Sequence, residues 1–353
     1  MADALQVFAG REAAHQLARH GWSASHFDLV LGASGGPKCF AIGALDRYLF
    51  GEFLQTSSQA LALLGSSVGA WRHACLAQPD PVAALDRLHD AYIHRSYSER
   101  PDGDEITAAS REILQHFLGR DGPTHIVRNT RIRQHIVTAR GRGACGSRHP
   151  LLLPLGLAAA AATNALDRRL LQQSFERVLF SNTTIGLPGL DLQGFATRHA
   201  ALTEQNTEDV LLATASIPML LNGVKDIPQA PAGQYWDGGV IDYHFDLTGY
   251  SGKGLVLFPH FSSNMVPGWF DKLLRGRHGR PGMFDRLVLL SPHPDFVARL
   301  PGAKIPDRSD FRRYTHRQRM DNWRACLQRG EAMAEDLRSL VAGDNPLRGV
   351  VTP

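Results

Sequence analysis

LVLGASGGPKC, residues 29–39, carries an apolar run into glycines and then a lysine. Three chemistries use such a junction. A phosphate-binding loop cradles phosphate on backbone N–H groups and ends in G-K-[ST]. A nucleophile elbow sets a serine on a sharp strand-to-helix turn, and Gly32-Ala33-Ser34-Gly35-Gly36 fits its G-x-S-x-G pattern. An oxyanion loop lends N–H donors to a nucleophile placed elsewhere. Pro37 stands where the phosphate loop needs glycine, and it has no N–H to give. Cys39 replaces the hydroxyl that would hold magnesium. Phosphate binding is thereby disfavoured.

A nucleophile at Ser34 would lack donors. In hydrolases with this turn they come from an earlier strand–loop unit. Only about 26 residues precede the strand, and none forms a Gly-rich loop. A second match removes the difficulty. Gly65-Ser66-Ser67-Val68-Gly69 also fits G-x-S-x-G, and it also lies between an apolar run, ALALLG, and a helix start. The flanking Gly65 and Gly69 let strand and helix pass closely, and the helix N-terminus favours developing negative charge. The 32–38 stretch lies one strand–helix unit upstream of Ser67. It therefore reads as the oxyanion loop of a nucleophile at Ser67, with Gly35 and Gly36 as donors.

The surrounding chain sets the fold class. FDLVLG (27–32) and ALALLGSS (60–67) read as buried strands. Pro37 suits a first helical position, and Ile42, Leu45, Leu49 and Phe53 mark one face of the helix that follows. Residues 81–118 read as two amphipathic helices, HIVRN and QHIVTA as strands, 157–176 as helix and RVLFSN as strand. TEDVLLATA reads as a short helix, and GLVLFP (254–259) and RLVLLS (286–291) as late strands. The stretch DFRRYTHRQRMDNWRACLQRGEAMAEDLRSLV reads as one long basic amphipathic helix. Strands alternating with helices imply an α/β fold with a mainly parallel sheet. Ligands of such sheets bind at the carboxyl ends of strands, where both Gly-rich turns fall.

Composition narrows the chemistry. The 353 residues are 43% hydrophobic and 20% charged, with a net charge of +4. That charge is too small to suggest a nucleic-acid partner, although it suits contact with an anionic membrane surface. Cys39, Cys75, Cys145 and Cys326 are scattered without C-x-x-C spacing, so zinc and dithiol chemistry are not indicated. The first residues lack the apolar core of a signal peptide. LLLPLGLAAAAA (151–162) is too short to span a bilayer. A cytoplasmic location is expected.

A serine nucleophile needs a base. Among sixteen histidines, His244, His260 and His293 lie late in the chain, the last two directly after apolar strands. Trp236-Asp237-Gly238-Gly239 offers another base, since two glycines can seat a carboxylate on a tight turn against another backbone. The residues alone leave Asp237 and a histidine as alternatives.

Taken in order, four segments resemble the patatin-like phospholipase family. GASGGPK resembles its oxyanion loop, usually G-G-G-x-R-G, and GSSVGA its G-x-S-x-G-A elbow. ATASIPML resembles the A-S-x-x-x-P block before the base, and WDGGV the D-G-[GA] motif. The likeness spans about residues 28–246. It implies a three-layer α/β/α fold, with the whole chain one domain and residues 254–345 a strand and helix extension. It implies a Ser67–Asp237 dyad without histidine, acyl-ester hydrolysis on lipids, and no metal or organic cofactor. Lys38 stands near the family's oxyanion-loop arginine, one residue out of register. After D-G-G the family often has an Asn-Pro turn, whereas this chain has Ile241-Asp242-Tyr243-His244.

Two other functions fit the sequence: a non-catalytic lipid- or acyl-binding protein on the same fold, and a Ser–His–Asp esterase or thioesterase for small soluble esters. The 151–162 stretch reads as a core segment entering a helix, with an interfacial lid as the alternative. KLLRGRHGR (272–280) reads as a solvated basic loop, with anionic headgroups as its alternative partner. The oligomeric state is not encoded in any motif.

Overall fold

A computed structural model describes residues 4–192, 194 and 196–353. The strands are β1 (Leu5–Ala9), β2 (Phe27–Gly32), β3 (Leu61–Gly65), β4 (Ile132–Gly141), β5 (Phe175–Ser181) and β6 (Thr197–Ala201). They continue with β7 (Val224–Lys225), β8 (Gln234–Asp237), β9 (Leu255–Pro259), β10 (Leu287–Pro292) and β11 (Val350–Val351). They form one sheet in the order β11-β1-β10-β9-β2-β3-β4-β5-β6, with the β7–β8 ribbon joined to β4. The central run β10-β9-β2-β3-β4 is parallel throughout. Between the named strands of the described residues, antiparallel pairing is confined to β1 against β10, β5 and β8 against β4, and β7 against β8.

The apolar runs of β2 and β3 follow from helices or loops covering both faces of the sheet. Phe27 and Val30 of β2, with Leu61 and Leu63 of β3, enter one core, beside Leu45, Leu49, Trp71 and Leu88. Leu29 and Leu31, with Ala62 and Leu64, enter a second core on the opposite face, beside Leu153, Leu157, Phe175 and Trp236. The period-2 alternation of a strand thus separates two cores, with helices outside each. The molecule is a three-layer α/β/α structure, as expected.

Several local expectations are corrected. HIVR of HIVRN belongs to the helix Gly122–Arg128, which starts at Gly122-Pro123 and ends before Asn129. Its apolar run is too short for periodicity to separate buried helix from buried strand. The helix expected over 157–176 spans Leu152–Leu166, continues as a 3-10 turn at Arg168–Gln173, and gives way to β5. That helix buries only one face, and Leu151, Leu152 and Leu155 are exposed. The basic C-terminal stretch forms three helices, Asp310–Arg313, His316–Arg329 and Glu331–Ala342. The first break is a capping box, in which Thr315 Oγ1 accepts from the Gln318 N–H while Gln318 Oε1 accepts from the Thr315 N–H. The second break is at Gly330. Among the described residues no helix is long and apolar enough to cross a membrane.

Candidate active site

Gly32 of β2 lies opposite Gly65 of β3, so both Gly-rich turns leave the sheet side by side. β4 is longer than either. Its Ile132–Ile136 segment pairs with β3, and its Thr138–Arg140 segment pairs with antiparallel β8. Because β5 occupies the other edge, β3 and β8 approach each other head-on along one edge of β4. The residues at the two facing ends are Ser67 and Asp237, and they meet beside Val137.

Ser67 Oγ donates to Asp237 Oδ2 at 2.9 Å, and both residues are buried. Thr214 and Ser216, in the block before the aspartate, fix the pair. The Ser67 N–H donates to Thr214 Oγ1 at 3.0 Å, and Thr214 Oγ1 donates to the Val137 carbonyl at 2.5 Å. The Asp237 N–H donates to the Ser216 carbonyl at 2.8 Å. No sequence signal singled out Thr214.

Ser67 adopts φ 54° and ψ −135° immediately before the helix Val68–Leu76. A non-glycine residue in this region costs about 1–3 kcal/mol and persists where its surroundings over-determine it. Here the close crossing of two turns does so. A Cβ on Gly69 would sit 2.0 Å from the Gly32 carbonyl oxygen, so only glycine lets the elbow helix pass the end of β2.

Asp237 accepts a second hydrogen bond, from the Gly239 N–H to Oδ1 at 2.7 Å. Burial nevertheless pushes its carboxyl up to about 6, against the opposing influences of Arg308, the Gly239 and Ser67 hydrogen bonds and Lys272. A carboxylate in that range can take a proton near neutral pH.

Ser34 has a different role. Its N–H donates to the Tyr243 carbonyl at 2.9 Å. Its hydroxyl meets Ser66 Oγ at 2.8 Å, and Ser66 Oγ in turn donates to the Asp242 carbonyl at 2.8 Å. With the Ser66 proton so engaged, Ser34 donates into this chain, and among the described residues no base hydrogen-bonds to it. Asp242 is held by the buried Arg177, with Nε to Oδ2 at 2.6 Å and Nη2 to Oδ1 at 2.9 Å. Ion pair and serine chain together shape the loop after D-G-G where the Asn-Pro turn is missing.

The three histidines lie elsewhere. Nδ1 of His244 accepts from the Val266 N–H, Nδ1 of His260 from the Ser262 N–H, and Nδ1 of His293 from the Asp295 N–H. His244 and His260 are buried against each other, ring centroids 4.2 Å apart, and burial lowers the affinity of both for a proton. Among the described residues no histidine hydrogen-bonds to Ser67.

Two cavities open at Ser67. One, of about 480 Å³, is lined by Val68, Trp71, Tyr92, Ile113, Leu221 and Phe311 among others, with Gly36, Arg308 and Arg312 also in its wall. The other, of about 300 Å³, is lined by Gly35, Asp237, Tyr243 and Trp269 together with Lys38, Lys272 and Arg308. The backbone N–H of Lys38 turns back toward the Gly35 carbonyl at 3.4 Å. Its ammonium lies 4.8 Å from the centroid of the Phe261 ring. Lys272, expected in a solvated loop, sets its ammonium 4.2 Å from the centroid of the Tyr243 ring. Arg308 drew no attention in the sequence, where nothing marks it out from other arginines.

A family model for patatin-like phospholipase matches residues 26–244, more than half of the chain. No curated protein matches. Among solved structures the chain is similar to the crystal structure of VipD from Legionella pneumophila, at 10% identity and a TM-score of 0.35, with 99% of this chain and 75% of that one covered. A likeness that low bears on neither site nor substrate.

Proposed function

The chain belongs to the patatin-like phospholipase family, and we propose that it is a serine acyl-ester hydrolase acting through Ser67 and Asp237 on lipid or fatty-acyl esters. The observation that carries this reading is the 2.9 Å hydrogen bond from Ser67 Oγ to Asp237 Oδ2, at the point where the two cavities meet. Asp237 removes the Ser67 proton as Oγ attacks the ester carbonyl. Gly35, Gly36 and Lys38 line the cavities that open at Ser67, and the N–H groups of the Gly35–Gly36 turn are the proposed oxyanion donors. Protonated Asp237 returns its proton to the departing alcohol. Water then attacks the acyl-serine, with Asp237 again as base, and releases the acid. The larger, apolar cavity suits an acyl chain.

The continuity of one sheet from β1 to β11 favours a single domain over the whole chain. Trp269 and Leu273, exposed on either side of Lys272, suit peripheral contact with a lipid surface.

Hydrolysis of p-nitrophenyl butyrate and palmitate by wild type and Ser67→Ala, with mass spectrometry after a fluorophosphonate probe, tests the proposal. Turnover by wild type, its loss in Ser67→Ala and a label on Ser67 are expected. A folded protein with neither turnover nor label would favour lipid binding without catalysis. Activity that survives Asp237→Asn but not His260→Ala or His293→Ala would favour a Ser–His–Asp esterase.

A further inference from the structure

The smaller cavity carries more positive charge than the hydrolytic step uses. Lys38, Lys272 and Arg308 line it with the dyad. Among the described residues no carboxylate is hydrogen-bonded or ion-paired to any of their three head groups. Lys38 and Lys272 instead rest theirs over aromatic rings. Of the cavity's two carboxylates, Asp237 belongs to the dyad. The other, Asp307, is held by Lys304 at 3.0 Å and by the N–H of Ser309 at 2.7 Å.

Arg308 is presented by a braced loop. Asp310, buried beneath it, accepts from Lys304 Nζ at 2.5 Å, from Trp323 Nε1 at 2.9 Å and from the Asp307 N–H at 3.1 Å. The Arg308 guanidinium lies against the Gly35–Gly36 turn. A Cβ on Gly36, at φ +56°, would lie 3.3 Å from Arg308 Nε. Burial and the charges of Lys38 and Arg308 lower Lys272 to about 8, against the opposing influence of Asp237, so three like charges crowd one cavity. Lys272 and Arg308 both lie beyond residue 244, where the family match ends.

We propose that Lys38, Lys272 and Arg308 form an anion-binding subsite that selects esters carrying a phosphate monoester on the leaving alcohol. The assignment of sides rests on the hydrolase reading. With the acyl chain in the larger cavity across Ser67, the alcohol half of the ester lies beside Lys38 and Lys272, with Arg308 at the boundary that the two cavities share. A carboxylate would bring one negative charge to three cations. A phosphate monoester brings close to two, with three strong acceptor oxygens for two ammonium groups and a guanidinium.

The test has a kinetic arm and a binding arm. Wild type, Lys272→Gln, Arg308→Gln and the double variant are compared on a 1-acylglycerol phosphate and the matching 1-acylglycerol. The readout is the ratio of the two kcat/KM values, which cancels effects common to both substrates. Wild type favours the phosphate, and each single substitution lowers the ratio by roughly tenfold, as expected for a lost charge-assisted hydrogen bond. Arg308→Lys keeps most of the preference. A wild-type ratio near one, or an unchanged ratio in the double variant, overturns the subsite.

In the binding arm, Ser67→Ala protein is titrated with a 1-alkyl-ether glycerol phosphate, its neutral counterpart and inorganic phosphate. Tighter binding of the ether phosphate than of the other two, lost when Lys272→Gln and Arg308→Gln are added, supports the subsite. It does so even if wild type hydrolyses nothing, an outcome that would fell the hydrolase reading alone. Inorganic phosphate binding as tightly as the ether phosphate would overturn the lipid assignment and leave free phosphate as the ligand.

Discussion

Asp237 is the residue where stability and chemistry pull apart. Its carboxyl is raised by burial to about 6 from an ordinary value of 3.8. Ionised, it can act as a base, so kcat/KM should fall as pH drops through about 6, and a pH–rate profile on a neutral ester checks this. The same shift makes the ionised carboxylate a burden on the fold. The folded protein holds this proton more tightly than the unfolded chain, so stability declines as pH rises from about 4 to about 6 and stays lower above that. Two pKa units correspond to roughly 3 kcal/mol, an upper figure. Asp237→Asn should therefore abolish turnover yet raise stability at pH 8 by up to about 3 kcal/mol, with the gain vanishing below about pH 4. Denaturant titrations at the two pH values read this directly. Ser67 has the same double character, since its backbone angles cost stability to keep its hydroxyl at the turn.

Among the elements, the elbow helix Val68–Leu76 and the end of β2 admit almost no change. Gly69→Ala would drive a Cβ to 2.0 Å from the Gly32 carbonyl oxygen, a backbone atom that cannot swing aside. Failure to fold, or a loss of more than about 3 kcal/mol in chemical unfolding, is expected from overpacking on this scale. Thr214→Val keeps the shape but removes the acceptor of the Ser67 N–H and the donor to Val137. A buried N–H left unpaired costs about 1–3 kcal/mol, so lower unfolding stability and a lower kcat with little change in KM are expected. Elements were legible in the sequence where burial wrote a clear pattern. FDLVLG is a strand packed on both faces, and its apolar run shows it. HIVRN reads as a strand because a short buried helix leaves a similar run, and the structure makes it helical. β1 drew no notice, since LQVFA alternates over only five residues. Ser67 and Asp237 stood out because the turns that hold them demand glycines. Lys272 and Arg308 did not, because only the path of the chain through β9 and β10 brings them to the cavity.

At the scale of the molecule, the site is assembled from distant parts of one sheet. β9 inserts beside β2, and Asp28 on β2 accepts from the Gly254 N–H across a separation of 226 residues. The region after the family match is therefore structural as well as a source of cavity residues. A chain ending at residue 250 should show no cooperative unfolding by circular dichroism, because β2 would lose its neighbour and both cores would open. The head-on meeting of β3 and β8 also has a consequence in time. A ribosome emits the elbow early, but Asp237, the base proposed for it, follows 170 residues later. The strands that close the sheet and the cations at its mouth come later still. At translation rates of about 5–20 residues per second, the nascent chain carries a serine without a base for roughly ten seconds or more. The proposed dyad therefore stays incomplete until Asp237 has emerged and β8 has docked on β4.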